Sequence, residues 1–531
     1  MEKAAADRAP EHEYAQEYAP YTPGKTGQLV EETMSPEEYK RAQRVLRLKL
    51  DIQIVPICLL LYFLSFLDRT NIGQAKTFVD EDGNTMVSDL GMTGVHDYQI
   101  ALTVLYPLYI AFEVPANIVL KKIGPQRWIP TLVVLWGIVS TLQGIVQDKH
   151  GLYINRIFLG LAEAGILPGI AVYLTYFYTP REIQLRQALF FTGASLSGAF
   201  SGLLAAAITH MHGIGNLAGW RWIFILEGIF TVVVGVICIF ILPNSADRAW
   251  FLTHTERRIA VERLESHSDR FVPRAELANL GAPTGEGVRP NMDKRWLHDS
   301  LSTFVDPLSY LMCAMGFCSA IAVYSIAYFS PTIVKEINSY APTHAMLMSC
   351  PPFAASFVYC TCIAFLSDYF RLRFVTAFPG MVIQLVGCAV VAGSNVGITR
   401  YGGVFLVTAG AFSVPPALFA WIANNNGTQY KRATTMALLI VFTNCAGLTS
   451  SWLFYDHEGP RYTRGMGVIL AHSALGILLV FAVEAYILWE RRQRAAGKRD
   501  HRVIELYNAG MTPHEIRNYL GDKHPEYMLE M

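Results

Sequence analysis

The chain has 531 residues, 52% of them hydrophobic and only 16% charged, with 43 basic against 43 acidic side chains and a mean hydropathy of +0.29. Soluble domains carry about 25% charged residues, and a formal net charge of zero speaks against nucleic acid as a partner. The charges crowd into both tails and one central stretch and leave the apolar runs between nearly free of them, which is the pattern of an all-α polytopic membrane protein.

Residues 1–40 are rich in Glu, Ala, Pro and Tyr and read as a disordered tail. They carry no secretory signal, so the first membrane helix serves as its own insertion signal. The basic run Lys40, Arg41, Arg44, Arg47 and Lys49 closes a cytosolic N-terminal segment at 1–50. The apolar run that follows, Ile52 to Leu67, holds 16 residues, or roughly 24 Å of helix, short of a hydrocarbon core about 30 Å thick. Either the helix ends wet at Asp68 and Arg69, or it continues to about Lys76 and carries both charges inside the membrane. Intramembrane charges cost ~2.5–3.5 kcal/mol each and are functional candidates by default.

The further predicted spans are 98–120, 128–147, 152–178, 188–210 and 220–242, then 305–330, 343–367, 374–395, 402–423, 433–455 and 466–489. Each is close to the ~20 residues a crossing needs. The connectors alternate in charge. One set holds Lys121, Lys122, Arg127, Arg186, Arg257, Arg263, Lys431 and Arg432; the other is sparse, and its first member is acidic. By the positive-inside rule an even number of spans, twelve, leaves both termini cytosolic. The exception is the last outer loop, with Arg461 and Arg464. The predicted division is a six-helix bundle at 51–243, a cytosolic loop at 244–304, a second bundle at 305–490 and a cytosolic tail at 491–531. Within the loop, Glu256 to Leu264 reads as a charged helix and Pro273 to Pro290 as a Pro/Gly-rich linker. Two equal bundles suggest internal duplication.

Arg156 and Glu163 are seven residues apart, ~20° around a helix and roughly 10.5 Å along it. They share a face, at depths that overlap those of Asp68 and Arg69. With that match the intramembrane reading of Asp68–Arg69 prevails. Two ion pairs that merely fix helix packing would account for the four residues. A functional reading accounts for them too: Arg offers planar bidentate donors to a carboxylate, and buried acids beside Arg can take up and release protons. On that reading Arg69 binds the anion, Asp68 and Glu163 carry protons, and Arg156 is the partner that tunes the acid. Glu113 in the second span either packs or joins the proton path; Glu227 and Glu484 are expected to pack or to sit at the interface. Tyr62, Tyr106, Tyr109, Tyr173, Tyr324 and Tyr328 are candidates to line a cavity. The stretch Gly193–Gly202 is expected to let helices approach closely.

Several stretches resemble the major facilitator superfamily, within it the anion:cation symporter branch, and there the fungal allantoate/nicotinate permease group. They are Leu64 to Gly73; Arg156 to Gly165 with Pro168-Gly169; Gly219-Trp220-Arg221-Trp222 through Glu227-Gly228; Asn425-Asn426 with Lys431-Arg432-Ala433; and Pro460-Arg461-Tyr462. The resemblance implies the major facilitator fold, two bundles of six helices. It also implies proton-coupled uptake of a small carboxylate, with Arg on the first helix as anion contact and acids on the first and fourth as proton sites. The superfamily's gating motif, of the form GxxxD(R/K)xGxxR, is degenerate here. Lys121-Lys122-Ile123-Gly124 with Arg127 has Lys where the acid stands, and Ser367-Asp368 with Arg371 and Arg373 lacks the glycine.

The chain has no phosphate loop, nucleophile elbow or metal-spaced histidines, so neither an enzyme nor an ATP-driven pump is expected. No cofactor is expected either, protons being the coupling ion. The nine cysteines read as small buried hydrophobes. A monomer in the plasma membrane is the expected form. An exporter of an acidic metabolite, or a sensor that kept the fold without turnover, are the alternatives.

Overall fold

The structure, a computed structural model, describes residues 34–80, 83–179, 182–265, 295–370 and 373–530, in which no strand occurs. Twelve long helices run back and forth. The first six are α1 (Pro36–Thr77), α2 (Asp97–Thr103 continuing as Leu105–Ile123), α3 (Pro125–Gln143), α4 (Lys149–Glu163 continuing as Ile166–Leu174), α5 (Ile183–Ile208) and α6 (Gly219–Ile241). The second six are α7 (Pro307–Asn338), α8 (Pro342–Phe370), α9 (Phe374–Gly393), α10 (Gly397–Asn425), α11 (Gln429–Ser450) and α12 (Thr463–Ala495). All but α3 are long and apolar enough to cross a membrane. At 19 residues, α3 carries Gln126 and Arg127 at one end and Gln143 at the other, and it packs along α6 within the same bundle.

The start of α1 differs from the expected tail boundary. Ser35 accepts a hydrogen bond from the Glu38 N–H, and the Glu38 carboxylate accepts from the Ser35 N–H. This capping box, with Pro36 in the first turn, starts the helix well before residue 50. The basic run is therefore helical, and it pairs with its surroundings. Lys49 reaches Glu256 at 2.7 Å on the helix His254–Glu265, the charged helix expected in the central loop. Arg263 of that helix meets Glu182 at 3.0 Å, and Arg186 meets Asp51 at 2.5 Å. The linker expected at Pro273–Pro290 lies outside the described residues.

Gly124 alone joins α2 to α3. It has φ +89°, and a Cβ there would stand 2.4 Å from the Asn244 Oδ1. A left-handed backbone with no room for a side chain explains why the degenerate loop motif keeps this glycine.

The two bundles meet along α5 against α8 and α10, α1 against α7, and α2 against α11. At the end away from the termini the approach is close. A Cβ on Gly73 would lie 2.4 Å from the Tyr328 carbonyl oxygen, and Trp452 donates to the Thr103 hydroxyl at 3.0 Å. At the opposite end the C-terminal segment folds back on the second bundle. Asp522 takes Lys431 at 2.6 Å, and Lys431 also meets Asp306 at 2.7 Å. Arg494 donates to the carbonyls of Asp522, His524 and Tyr527, while Trp421 and Asn425 hold Glu530. Burial lowers the His524 pKa to about 4, and its Nδ1 accepts the Glu526 N–H at 3.2 Å, which fits the neutral ring.

Candidate functional site

Asp68 and Arg69 are consecutive on α1, so their side chains leave the helix about 100° apart. Adjacent opposite charges on a helix do not face each other, and these do not. Asp68 turns into the first bundle. Its two oxygens accept from Trp136 Nε1 at 2.6 Å and Ser140 Oγ at 2.9 Å, both on α3. Arg69 turns toward α4 and the second bundle. Its Nε donates to Glu163 Oε1 at 2.8 Å, its Nη1 to the Tyr324 hydroxyl at 3.1 Å, and its guanidinium carbon lies 4.9 Å above the Tyr109 ring. Ser65, one turn before Arg69, donates to the same Glu163 oxygen.

Glu163 sits where α4 is interrupted. Pro168 has no N–H for the Ala164 carbonyl and its ring crowds that carbonyl, so the helix stops at Glu163 and resumes at Ile166. The carboxylate is fully buried, and Oε2 has no hydrogen-bond partner.

Arg156 is on the same face of α4, as expected, but does not pair with Glu163. A shared face seven residues apart still leaves roughly 10.5 Å between them. Arg156 is 2% exposed, and its Nε and one Nη have no hydrogen-bond partner. Its electrostatic neighbours are Tyr328, Tyr98, Asp68 and Glu163. The expected arrangement is thereby corrected: Arg69 holds Glu163, α3 donors hold Asp68, and Arg156 faces the centre unpaired.

Aromatic hydroxyls of both bundles close the site. Tyr324 donates to Asn444 Oδ1 at 3.2 Å, its ring lies 5.7 Å from Tyr106 and 6.0 Å from Tyr328, and Tyr106 and Tyr328 are joined through their hydroxyls. Tyr62 faces Arg69 and Glu163 from a nest of Phe66, Phe190 and Phe191. Tyr173 is elsewhere, donating to the Pro243 carbonyl. Glu113, fully buried, faces Arg69 and the Asn444 amide.

A family model for the Major Facilitator Superfamily matches residues 58–451. The chain belongs to the major facilitator superfamily. Among curated relatives, a fission-yeast protein called uncharacterized transporter C1039.04 (Schizosaccharomyces pombe) is 29% identical over 86% of this chain and 85% of its own. The MFS transporter prlL of a fungal species (strain NRRL 50135) is 30% identical over 82% and 83%. Among solved structures, a bacterial homolog of the human lysosomal transporter Spinster, inward-facing and unoccupied, superposes with a TM-score of 0.57 at 16% identity. It covers 81% of this chain and 96% of its own. This major facilitator protein is thus a multi-pass membrane transporter and not an enzyme.

In this transporter three of the gating candidates, Lys122, Arg127 and Arg373, have described side chains. Lys122 and Arg127 are exposed at the α2–α3 turn. Arg373 donates to Ser367 Oγ at 3.1 Å and lines a small cavity that Leu185 and Ala188 of α5 also line. The Lys121 and Asp368 side chains and the whole of Arg371 lie outside what is described. Glu484 lies toward the terminal end of α12, near Arg491. The sequence reading missed Ser65, Trp136, Ser140 and Asn444 as site residues. Trp136 and Ser140 carried a signal, being polar groups at i and i+4 and hence on one helix face. Asn444 carried only its polarity in an apolar helix.

Proposed function

We propose that this chain is a proton-coupled carrier that imports a small organic anion by alternating access. It works as a monomer in the plasma membrane with both termini cytosolic. The observation that supports this reading is the buried Arg69–Glu163 pair, placed where the two bundles meet. An ion pair in such a place can be exchanged: a proton on Glu163 removes its charge and frees the Arg69 Nε for a substrate carboxylate. Arg69 already reaches Tyr324 of the second bundle, so an anion bound there touches both halves. Arg156, buried without a partner, adds a second positive charge to the same space. Asp68, fixed by Trp136 and Ser140, stays off Arg69 and serves as a further proton acceptor. When the protons leave on the other side, Glu163 retakes Arg69 and expels the anion.

The test is uptake of a panel of labelled carboxylates, nicotinate, pantothenate and allantoate among them, into proteoliposomes under an imposed pH gradient. Uptake that rises with an inward proton gradient and is lost in Arg69→Gln supports the reading. Uptake indifferent to the gradient, or an Arg69→Gln carrier of normal affinity, overturns it.

A further inference from the structure

Glu227 on α6 is 6% exposed, and the mechanism above leaves it idle. Its Oε2 accepts from Asn71 Nδ2 at 2.5 Å, and its Oε1 has no partner. Asn71, fully buried on α1, has an unpartnered atom of its own, the amide oxygen Oδ1. An ionised carboxylate in a dry interior is stable with a cation or with several donors, and Glu227 has one donor. The helices packed on α6 are chiefly α3, α1 and α5. Among the described residues of these elements, the only titratable group found to act on Glu227 is a second acid, Asp68.

The two orphan atoms are complementary. A hydrogen on Glu227 Oε1 is the donor that Asn71 Oδ1 lacks, and with it acid and amide form a two-bonded pair. One proton therefore satisfies both buried groups at once, where an anion, having no hydrogen to donate, would satisfy neither. Asn71 lies three residues beyond Asp68 on α1, so the pair is about one helical turn from the central acids and nearer the end away from the termini.

We infer that Glu227, closed by Asn71, is an exchangeable proton-binding site that exchanges protons with Asp68. The inference rests on the proton-coupled reading for its role and on the Glu227–Asn71 geometry for its existence. The step balances simply. A proton from the aqueous phase converts the Glu227 carboxylate to a carboxyl; on transfer, that proton leaves Oε1, Glu227 is again a carboxylate, and the Asp68 carboxylate becomes a carboxyl.

Infrared difference spectroscopy on the purified full chain in lipid, stepped in pH without any substrate, reads this directly. The wild type is expected to show a carboxyl C=O band that titrates. Glu227→Gln, whose amide can still pair with Asn71, removes one component of that band while the protein stays folded by circular dichroism. Asn71→Ala shifts the component, Asp68→Asn moves its midpoint, and Glu163→Gln leaves it in place. A Glu227→Gln difference spectrum superimposable on the wild type overturns the inference, since a carboxyl that never changes state is only packing. Because no substrate enters, failure of the transport assay above leaves this result standing, and failure here leaves proton coupling through Glu163 standing.

Discussion

The two bundles meet at one site but bring different chemistry to it. Around the centre, the first bundle supplies every charged side chain described there: Asp68, Arg69, Glu113, Arg156 and Glu163, with Glu227 behind them. The second supplies Tyr324, Tyr328 and Asn444, which are neutral, and keeps its buried charges, such as Arg400, Lys431, Glu490 and Arg494, at the ends of its helices. The difference separates two tasks. On the proton-coupled reading proposed above, protons are sensed on one side of the interface, and the other side reads the result through hydroxyl and amide hydrogen bonds that do not depend on pH.

Substitutions on the two sides should then behave differently. The largest effect is expected for Arg69→Gln. Removing the charged donor from a hydrogen-bonded charge pair at a binding site costs about 2–5 kcal/mol of binding, so anion uptake should fall roughly 30-fold or more. Glu163→Gln mimics the protonated acid. It should abolish accumulation driven by a pH gradient while leaving exchange of labelled for unlabelled anion intact, and a variant that still accumulates would remove Glu163 from the proton path. Tyr324→Phe deletes a neutral group bonded to a charged one, worth about 1.5–3 kcal/mol. KM should rise roughly tenfold with the pH profile of uptake unmoved. A displaced profile would break the division between the halves.

The smallest effect lies at the terminal end of the second bundle. The His524 pKa falls from an ordinary 6.5 to about 4 in the docked segment. The undocked ring binds more protons between those values, so docking is fully favoured above pH 6.5 and weakens as pH falls toward 4. Proteolysis of the segment should accelerate over that window in the wild type and stay flat in a His524→Gln variant.

Much of this architecture was legible in the residues. Hydrophobic runs and the alternation of basic connectors locate twelve helices because both follow from the cost of burying charge in lipid. Arg69 and Glu163 stood out for the same reason. Their pairing was not legible. Depth along a helix follows from counting residues, but azimuth relative to another helix depends on packing. Arg156 and Glu163 shared a face and were matched on that ground, although only a neighbour on α1 lay within reach. Asp68 drew attention by standing next to Arg69, and that adjacency is what sends the two side chains apart. From the sequence the C-terminal segment reads only as a cytosolic tail. Its contacts with Trp421, Asn425 and Lys431 join residues about 100 positions away in sequence, and no local pattern announces them.

The absence of a side chain at Gly73 has a practical consequence. Its Cα lies against the Tyr328 carbonyl, so the two bundles can be this close only while position 73 is empty. A bulky residue there acts as a wedge. Gly73→Trp would prise the halves apart at the end away from the termini and offer a carrier arrested in one posture, suited to raising binders that discriminate between the two faces of the cycle.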